Sequence, residues 1–307
     1  MKVALASSSL VALPTLELLK NSGIEVIAAF SMPDARSGRG RSLLPNPFAN
    51  FVASQGLRVL KPNSAQSLHE TLQEVRPDLV ITIAYGRLIR ETELALPKHG
   101  WINLHFSLLP KFRGAAPVQR AILAGEQRTG VTVFQLDRGM DTGPIYVQRE
   151  ISLEGNENSG EVLAKLSEIG APAVLDAITM IDSGISPLPQ DKAHFSLAPK
   201  IDKSETKIDW NLTTVEIDCR VRAFSPSPGA WTEFRGQRLA ISKALPSSLE
   251  TLHNEAPGTF LVDNERVFIA TGNGFLEIKK LIPSGKREML ASEWVRGARI
   301  SAHEKVK

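Results

Sequence analysis

The sequence predicts two folded parts: an α/β part with a doubly wound, mostly parallel sheet, and a smaller β-barrel after it. The first prediction depends on alternation, because short β-rich runs and amphipathic helical patterns take turns through the first 150 residues. The second depends on a change of pattern, since several short strands follow one another closely in the last third of the chain. We therefore expect a Rossmann-like sheet followed by an OB-like barrel.

The elements of the first part can be assigned in chain order. The predicted strands are Lys2–Ala6, Glu25–Ser31, Arg58–Leu60, Leu79–Ile83 and Trp101–His105. Helical patterns separate them at Pro14–Ser22, Pro47–Gln55, Gln66–Val75 and near Arg87–Leu94. Ligands bind open α/β sheets beyond the carboxyl ends of the strands, so the end of the strand at Trp101–His105 is a candidate binding position.

A helix that opens at Pro117, two strands and a long helix complete the first part. The strands are Val131–Leu136 and Ile145–Ile151, and the helix is Ser159–Ile181. A polar stretch with several prolines then indicates a linker. We place the first domain at residues 1–189, the linker at 190–206 and the barrel domain at 207–307.

The barrel domain begins with a helical pattern at Thr213–Ala223. Its predicted strands are Ala230–Phe234, Gln237–Ala244, Gly258–Val262, Arg266–Thr271 and Phe275–Leu281. Residues 1–199 carry 19 basic and 19 acidic side chains, and residues 200–307 carry 17 and 14, so the net charge of +3 lies in the last third. This surplus is a weak indication of a polyanionic partner, and a solvated surface is the simpler interpretation.

The overall composition is that of a globular protein, with 42% hydrophobic and 22% charged residues. The single cysteine, Cys219, excludes an internal disulfide. No run approaches the roughly 18 consecutive apolar residues of a membrane span. We therefore expect a cytoplasmic protein with no membrane partner.

Polar side chains share one face at the end of the strand at Trp101–His105. Side chains alternate along a strand, so Asn103, His105 and Ser107 lie on one face, and Phe106 points the other way. An amide N–H beside an imidazole can stabilise an oxygen that becomes negative during acyl transfer, and the imidazole can also carry a proton. A hydrogen-bonded structural histidine is the alternative.

Asp141 is the candidate partner for this pair, because it lies in a glycine-flanked loop after the neighbouring strand. The alternative is an aspartate that makes only the hydrogen bonds of its own turn. Together, an amide, an imidazole and a carboxylate could assist the attack of a neutral nucleophile on a carbonyl, with no metal.

Three arginines separated mainly by glycine and serine, Arg36, Arg39 and Arg41, form a second feature, in the loop after the second strand. Such a loop is suited to phosphate contacts, although a solvated loop is the simpler interpretation. Asp34 resembles the acidic residue that binds a dinucleotide ribose. However, Ser7, Ser8 and Ser9 follow the first strand in place of a Gly-x-Gly-x-x-Gly motif, which argues against NAD.

The segment 102–117, INLHFSLLPKFRGAAP, resembles the signature of the folate-dependent formyltransferases. The downstream segments Gly130–Thr132 and Asp137–Gly143 strengthen the resemblance, which extends through Ala223–Phe224 and Ala256–Thr259 to nearly the whole chain. It implies transfer of a formyl group from 10-formyltetrahydrofolate to the α-amine of initiator methionyl-tRNA.

The resemblance also implies roles for individual residues. Asn103 and His105 would polarise the formyl oxygen, and Asp141 would orient His105. Four residues would line the folate site: Ser107, Leu108, Leu109 and Pro110. The arginine loop, with Arg36, Arg39 and Arg41, would contact the tRNA acceptor stem. In the barrel, Lys207, Arg220 and Arg222 are candidates for tRNA contact from their charge. No metal is implied, and a monomer is the default.

Two positions depart from the family pattern: Ser7–Ser9 replace the usual Gly-Thr-Pro, and Phe106 stands where a small residue is usual. Two other functions stay open at this point. One is a formyltransferase for a small amine, such as an amino-sugar nucleotide or a ribonucleotide amine, which would not need the arginine loop. The other is a catalytically idle RNA-binding relative, which would not need Asn103, His105 and Asp141 together.

Overall fold

The structure is a computed structural model that describes residues 1–37, 42–247, 255–301 and 303–307. Its strands are β1 (Lys2–Ser7), β2 (Glu25–Phe30), β3 (Ala35–Ser37), β4 (Ser42–Leu44), β5 (Val59–Leu60), β6 (Leu79–Ile83), β7 (Trp101–His105), β8 (Arg128–Gln135), β9 (Ile145–Ser152), β10 (Ala230–Phe234), β11 (Gln237–Pro246), β12 (Phe260–Asp263), β13 (Arg266–Ala270), β14 (Phe275–Pro283) and β15 (Met289–Leu290). Its helices are α1 (Leu13–Asn21), α2 (Pro47–Ser54), α3 (Ala65–Val75), α4 (Glu91–Leu94), α5 (Pro117–Leu123), α6 (Ser159–Asp182), α7 (Thr214–Phe224) and α8 (Ala291–Ala298).

The chain divides into two compact units. One contains residues 1–117, 128–152 and 163–199, and the other contains residues 118–127, 153–162 and 200–307. The first unit holds a seven-stranded sheet in the order β5-β2-β1-β6-β7-β8-β9. Strands β5 through β7 in this order are parallel, and β8 and β9 are antiparallel additions.

The strand order explains where a ligand can bind. From β1 the chain adds β2 and β5 on one side, then returns to add β6 and β7 on the other. Connections that leave in opposite directions open a crevice at the carboxyl ends of β1 and β6. The end of β7 lies one strand further along the same edge.

Continuous apolar runs make the central strands, because both faces of this sheet are covered. In β1, every residue from Val3 to Ser7 is fully buried, and all of β6 is buried. One core cluster contains Trp101 of β7 with Phe30, Leu68 and Leu72, and the Trp101 indole donates to the carbonyl of Glu93 at 2.9 Å. The predicted α/β fold class is confirmed.

The second unit holds an antiparallel sheet in the order β10-β11-β14-β13-β12, with β15 paired to β14. The last residues bond to both edge strands: Lys307 exchanges backbone hydrogen bonds with Glu233 of β10 at 2.9 and 3.0 Å, and Glu304 accepts from Phe260 of β12 at 2.9 Å. This segment bridges the two edges of the sheet. The predicted β domain at the C-terminal end is confirmed as an antiparallel sheet.

The predicted elements lack β15 and α8, and two pairings between segments were also not predicted. The hairpin of β3 and β4 forms in the arginine loop, which the prediction treats as irregular. In addition, residues 195–198 of the predicted linker hydrogen-bond to the loop after β7 and lie within the first unit. Both depend on pairing between segments, which hydrophobic periodicity does not report. In the described part of the chain, no helix is long and apolar enough to cross a membrane.

Candidate active site

The polar face predicted for β7 lies at the carboxyl edge of the sheet, beside β6. Thr82 of β6 pairs with Asn103, and its hydroxyl donates to Asn103 Oδ1 at 2.8 Å. This bond occupies the oxygen end of the amide, so the NH2 end is the part of Asn103 that can donate to a substrate oxygen. Asn103 is half-buried, whereas the strand residues on either side of it are buried.

His105 is buried, with a side chain that is 6% exposed. Its Nε2 lies 2.9 Å from the carbonyl oxygen of Phe112. A carbonyl can only accept a hydrogen bond, so Nε2 carries the hydrogen and Nδ1 is the atom that gains or loses a proton. The Phe134 ring meets the imidazole edge-on, with ring centroids 6.4 Å apart.

Burial lowers the pKa of His105 below 6.5, because the buried imidazolium loses hydration. The Asp141 carboxylate and the Phe112 carbonyl act in the opposite direction and raise it, but desolvation is the larger effect. His105 is therefore neutral near pH 7, with a free electron pair on Nδ1.

Asp141 approaches Nδ1 without a direct hydrogen bond. Its Oδ2 lies 3.7 Å from His105 Nδ1 and accepts from the backbone N–H of Gly114 at 2.8 Å. Asp141 has a left-handed backbone, with φ of 54°, an uncommon conformation for a residue with a side chain. The carboxylate is thus held close enough to stabilise a proton that arrives on Nδ1.

The loop that carries Asp141 is ordered by its own side chains. Asp137 Oδ1 accepts from the backbone N–H of Gly139 at 2.9 Å and from the Thr142 hydroxyl at 2.8 Å. Gly143 packs against the carbonyl oxygen of Gln135, where a side chain would not fit.

The turn Ser107–Pro110 is braced from two strands. Thr132 of β8 donates to the carbonyl of Ser107 at 2.7 Å and accepts from the backbone N–H of Leu109 at 3.1 Å. Gln148 of β9 donates to the carbonyl of Leu109 at 2.7 Å. Ser107 is 1% exposed, and its hydroxyl donates to the carbonyl of Lys111 at 2.6 Å, so its contribution is to the shape of the turn.

The serines at the end of β1, Ser7–Ser9, order the loop between neighbouring strand ends. Ser8 donates to the carbonyl of Tyr85, which follows β6, at 3.2 Å, and accepts from the backbone N–H of Met32, which follows β2, at 3.4 Å. Ser7 and Ser9 hydrogen-bond to each other. This loop therefore has a structural role at the switch point, although its sequence departs from the family pattern.

The arginine loop is described only in part. Arg36 lies on β3 opposite Leu43 of β4 and is exposed, and Leu43 is 66% exposed. Arg39 and Arg41 lie outside the described residues. Asp34 pairs with Lys61 at 2.5 Å, which assigns that carboxylate a partner within the protein. No cluster of residues that could hold a metal ion occurs in the described ranges.

Sequence reasoning missed the groups that hold the cluster in place: Thr82, the Phe112 carbonyl, the Gly114 N–H, Thr132 and Gln148. Only Thr82 had a usable signal, as a polar residue in the buried strand beside Asn103. The contacts of Phe112 and Gly114 come from the backbone, so no side-chain type predicts them. Thr132 lies in the motif Gly130–Thr132, but nothing in the strand pattern indicates that it or Gln148 braces the turn.

The fold and the cluster define the class first: an α/β enzyme equipped for acyl transfer, with an amide donor, a neutral imidazole and a carboxylate at the carboxyl edge of its sheet. Comparison with known families gives the particular family. Residues 1–178 match the model "Formyl transferase", and residues 200–299 match "Formyl transferase, C-terminal domain". The chain belongs to the formyl transferase family.

Curated relatives match over nearly the whole chain. The methionyl-tRNA formyltransferase of Streptomyces coelicolor is 39% identical over 312 residues, covering 100% of this chain and 99% of the relative. That of Arthrobacter sp. is 39% identical over 299 residues, covering 97% of each chain.

Solved structures share the fold at lower identity. The N-formyltransferase from Helicobacter canadensis, in complex with folinic acid and dTDP-3-aminofucose, has a TM-score of 0.67 at 20% identity, covering 94% of this chain and all of that one. The methionyl-tRNA formyltransferase from Clostridium thermocellum has a TM-score of 0.59 at 16% identity, covering 81% of this chain and 95% of that one. These two similarities establish the fold only.

Proposed function

We propose that this chain transfers the formyl group of 10-formyltetrahydrofolate to the α-amino group of methionyl-tRNA, with initiator tRNA as the acceptor in translation initiation. The observation that carries the proposal is the juxtaposition of the Asn103 amide, His105 Nδ1 and the Asp141 carboxylate at one edge of the sheet. Full-length similarity to methionyl-tRNA formyltransferases supports the choice of acceptor.

The roles of Asn103 and His105 separate in this arrangement. In the reaction, a bond from the formyl carbon to the amine forms, the bond to N10 breaks, and one proton passes from the amine to N10. Asn103 donates from its NH2 end to the formyl oxygen as that oxygen becomes negative. His105 accepts the amine proton on Nδ1 and returns it to N10. This assignment replaces the expectation that both residues polarise the oxygen, because neutral His105 has no hydrogen on Nδ1.

Asp141 acts through His105. When Nδ1 takes a proton, the carboxylate 3.7 Å away stabilises the resulting imidazolium. The Phe112 carbonyl, rather than Asp141, sets the tautomer. The turn Ser107–Pro110 would line the folate site, held in shape by Thr132 and Gln148.

For tRNA, the barrel offers cations held against an aromatic ring. Lys207 and Arg238 are exposed and lie 5.6 and 5.0 Å from the centroid of the Trp231 ring. Arg222 is a poorer candidate than its charge suggests, because it bonds to Asp218 at 2.7 Å and is 15% exposed. Lys207 and Arg238 would contact phosphates, together with Arg36, Arg39 and Arg41 of the arginine loop. The chain would act as a monomer in the cytoplasm.

The proposed function also assigns a role to each predicted domain. Residues 1–189 would form the catalytic domain, residues 190–206 the linker, and residues 207–307 the tRNA-binding barrel. Of the linker residues, 190–199 lie within the first compact unit.

A formyl-transfer assay with alternative acceptors tests the proposal. Purified chain and 10-formyltetrahydrofolate are mixed with methionyl-tRNA, free methionine or a dTDP-amino sugar, and the formylated product is quantified. We expect kcat/KM for methionyl-tRNA to exceed the values for both small amines by orders of magnitude. Preferential formylation of the amino sugar would support the small-amine alternative, and no product with any acceptor would support an idle relative.

A further inference from the structure

Gln190 is a buried glutamine whose amide hydrogen-bonds at both ends to loops of the candidate active site. Gln190 is 8% exposed. The NH2 group donates to the carbonyl of Asp141 at 2.9 Å and to that of Gly143 at 2.7 Å. The amide oxygen accepts from Arg113 Nε at 3.1 Å and from Arg113 Nη2 at 2.6 Å. One amide therefore joins the Asp141 loop to Arg113.

Arg113 stands between the two backbone groups that hold His105 and Asp141. The residue before it, Phe112, supplies the carbonyl that accepts from His105 Nε2, and the residue after it, Gly114, supplies the N–H that donates to Asp141 Oδ2. Gln190 thus closes a ring of contacts, from the Asp141 carboxylate through Gly114 and Arg113 back to the Asp141 carbonyl. A closed ring restrains Asp141 at its side chain and its backbone together.

The segment that follows Gln190 fixes the same loop from its other edge. Ser196 accepts from the backbone N–H of Arg113 at 2.8 Å through its carbonyl, and from that of Phe112 at 2.9 Å through its hydroxyl. Ala198 donates to the carbonyl of Arg113 at 2.6 Å. A Cβ on Gly114, which has φ of +127°, would lie 2.6 Å from the Ala198 carbonyl oxygen, so this approach requires glycine.

We propose that Gln190 is a positioning residue for the His105–Asp141 pair. It holds the Asp141 backbone so that Oδ2 stays 3.7 Å from His105 Nδ1. This inference rests on the proposed function, in which His105 Nδ1 carries the proton. It predicts that Gln190 acts on turnover and on the titration of His105, and leaves the affinity for both substrates nearly unchanged.

Two substitutions separate this role from a general structural one. Gln190→Glu keeps both bonds from Arg113, which become an ion pair, but removes the two donors to Asp141 and Gly143. Gln190→Met has a similar length and removes all four bonds without adding charge. Gln73→Glu is the matched control, because Gln73 is an exposed residue of α3 and undergoes the same chemical change.

The experiment measures kcat and KM for methionyl-tRNA and 10-formyltetrahydrofolate, and titrates the His105 ring by ¹⁵N NMR in the absence of substrate. We expect both Gln190 variants to lose about 10- to 100-fold in kcat, as small displacements of catalytic groups do. The KM values should stay close to those of the wild type. In Gln190→Met the His105 midpoint should fall, because the carboxylate that raises it is no longer held in place.

The outcomes distinguish this inference from the proposed function. If the wild type is active and Gln190→Glu has an unchanged kcat, whether or not its KM is raised, the inference about Gln190 is wrong and the proposed function still stands. If Gln190→Met fails to fold, the kcat of Gln190→Glu decides. If the wild type does not formylate methionyl-tRNA, the proposed function fails, and the His105 midpoint of Gln190→Met against Gln73→Glu still decides whether Gln190 positions the pair.

Discussion

At the scale of residues, the candidate site is organised by what each polar atom already contacts. Asn103 Oδ1 accepts a hydrogen bond from the Thr82 hydroxyl, and His105 Nε2 donates one to the Phe112 carbonyl. This leaves one donor and one proton acceptor, which is the pair that the proposed formylation of an amine would use. The strand pattern could predict that these side chains share a face. It could not predict their free atoms, because the contacts come from turns and from a neighbouring strand.

The tautomer of His105 is the first consequence that can be measured. Since Nε2 donates to a carbonyl, the neutral ring should carry its hydrogen on Nε2, and the pKa should lie below 6.5 because the ring is buried. A ¹⁵N NMR pH titration reports both properties. A neutral ring protonated on Nδ1, or a midpoint above 6.5, would contradict the assignment.

Asp141→Asn tests the electrostatic part of the pair. The carboxylate raises the pKa of His105 against the larger lowering by burial, so its removal should lower that pKa further. If His105 must be neutral to accept a proton, kcat falls as the pH drops through this pKa, and the acidic limb of the kcat profile should move to lower pH in the variant. The plateau should also fall, because the imidazolium loses its stabilising anion. An unmoved acidic limb would show that Asp141 does not act on His105.

At the scale of elements, the alternation of strands and helices was predictable, since each long element has a clear apolar period. Strands β6, β7 and β10 have the predicted bounds, and most others differ by one or two residues. Two pairings could not be predicted: the β3–β4 hairpin, and the contact of residues 195–198 with the loop after β7. A pairing of two or three residues is too short to show a hydrophobic period. Gln190 belongs to the same category: in the sequence it is one polar residue in a proline-containing stretch.

The turn Ser107–Pro110 depends on β8 through one hydroxyl. Thr132→Val keeps the shape of the side chain but leaves the Ser107 carbonyl and the Leu109 N–H without that partner. An unsatisfied buried group costs about 1–3 kcal/mol. We expect a loss of stability in that range by urea unfolding, with a raised KM for the formyl donor.

Thr129→Val on the same strand is the control for this change. Thr129 is also buried, at 4% exposure, and its hydroxyl is not part of the network at the turn. Equal losses in the two variants would argue that burial of the hydroxyl on β8, rather than the bracing of the turn, sets the cost.

At the scale of the whole molecule, the two units carry different chemistry. The first holds the cluster of neutral and acidic groups at a sheet edge, and residues 200–307, which make up most of the second, carry 17 basic and 14 acidic side chains. This division is consistent with a substrate that has a small reactive end and a long polyanionic body. Family membership, the α/β class of the first domain and the β class of the second could be predicted from motifs and patterning. Which cations are paired and which are exposed could not be predicted. Arg222 and Lys207 look alike in sequence, yet one is paired with Asp218 and the other is exposed.

Salt dependence tests this division. Each phosphate contact contributes a slope of roughly one in a plot of log affinity against log salt concentration. Lys207→Ala should weaken tRNA binding and reduce that slope by about one contact, whereas Lys20→Ala, an exposed change on α1, should leave it unchanged. Filter binding over a range of salt concentrations gives both slopes. Affinity that is independent of salt would remove phosphate recognition from the proposal.

The most direct test of the central claim is the single-turnover rate of methionyl-tRNA formylation by Asn103→Ala beside the wild type, with both substrates saturating. If the Asn103 amide stabilises the developing oxyanion, the rate should fall on the order of 10²–10³-fold while both enzymes still bind methionyl-tRNA. A variant that formylates methionyl-tRNA within about threefold of the wild-type rate, far short of that expected loss, would contradict the assignment of this strand end as the active site.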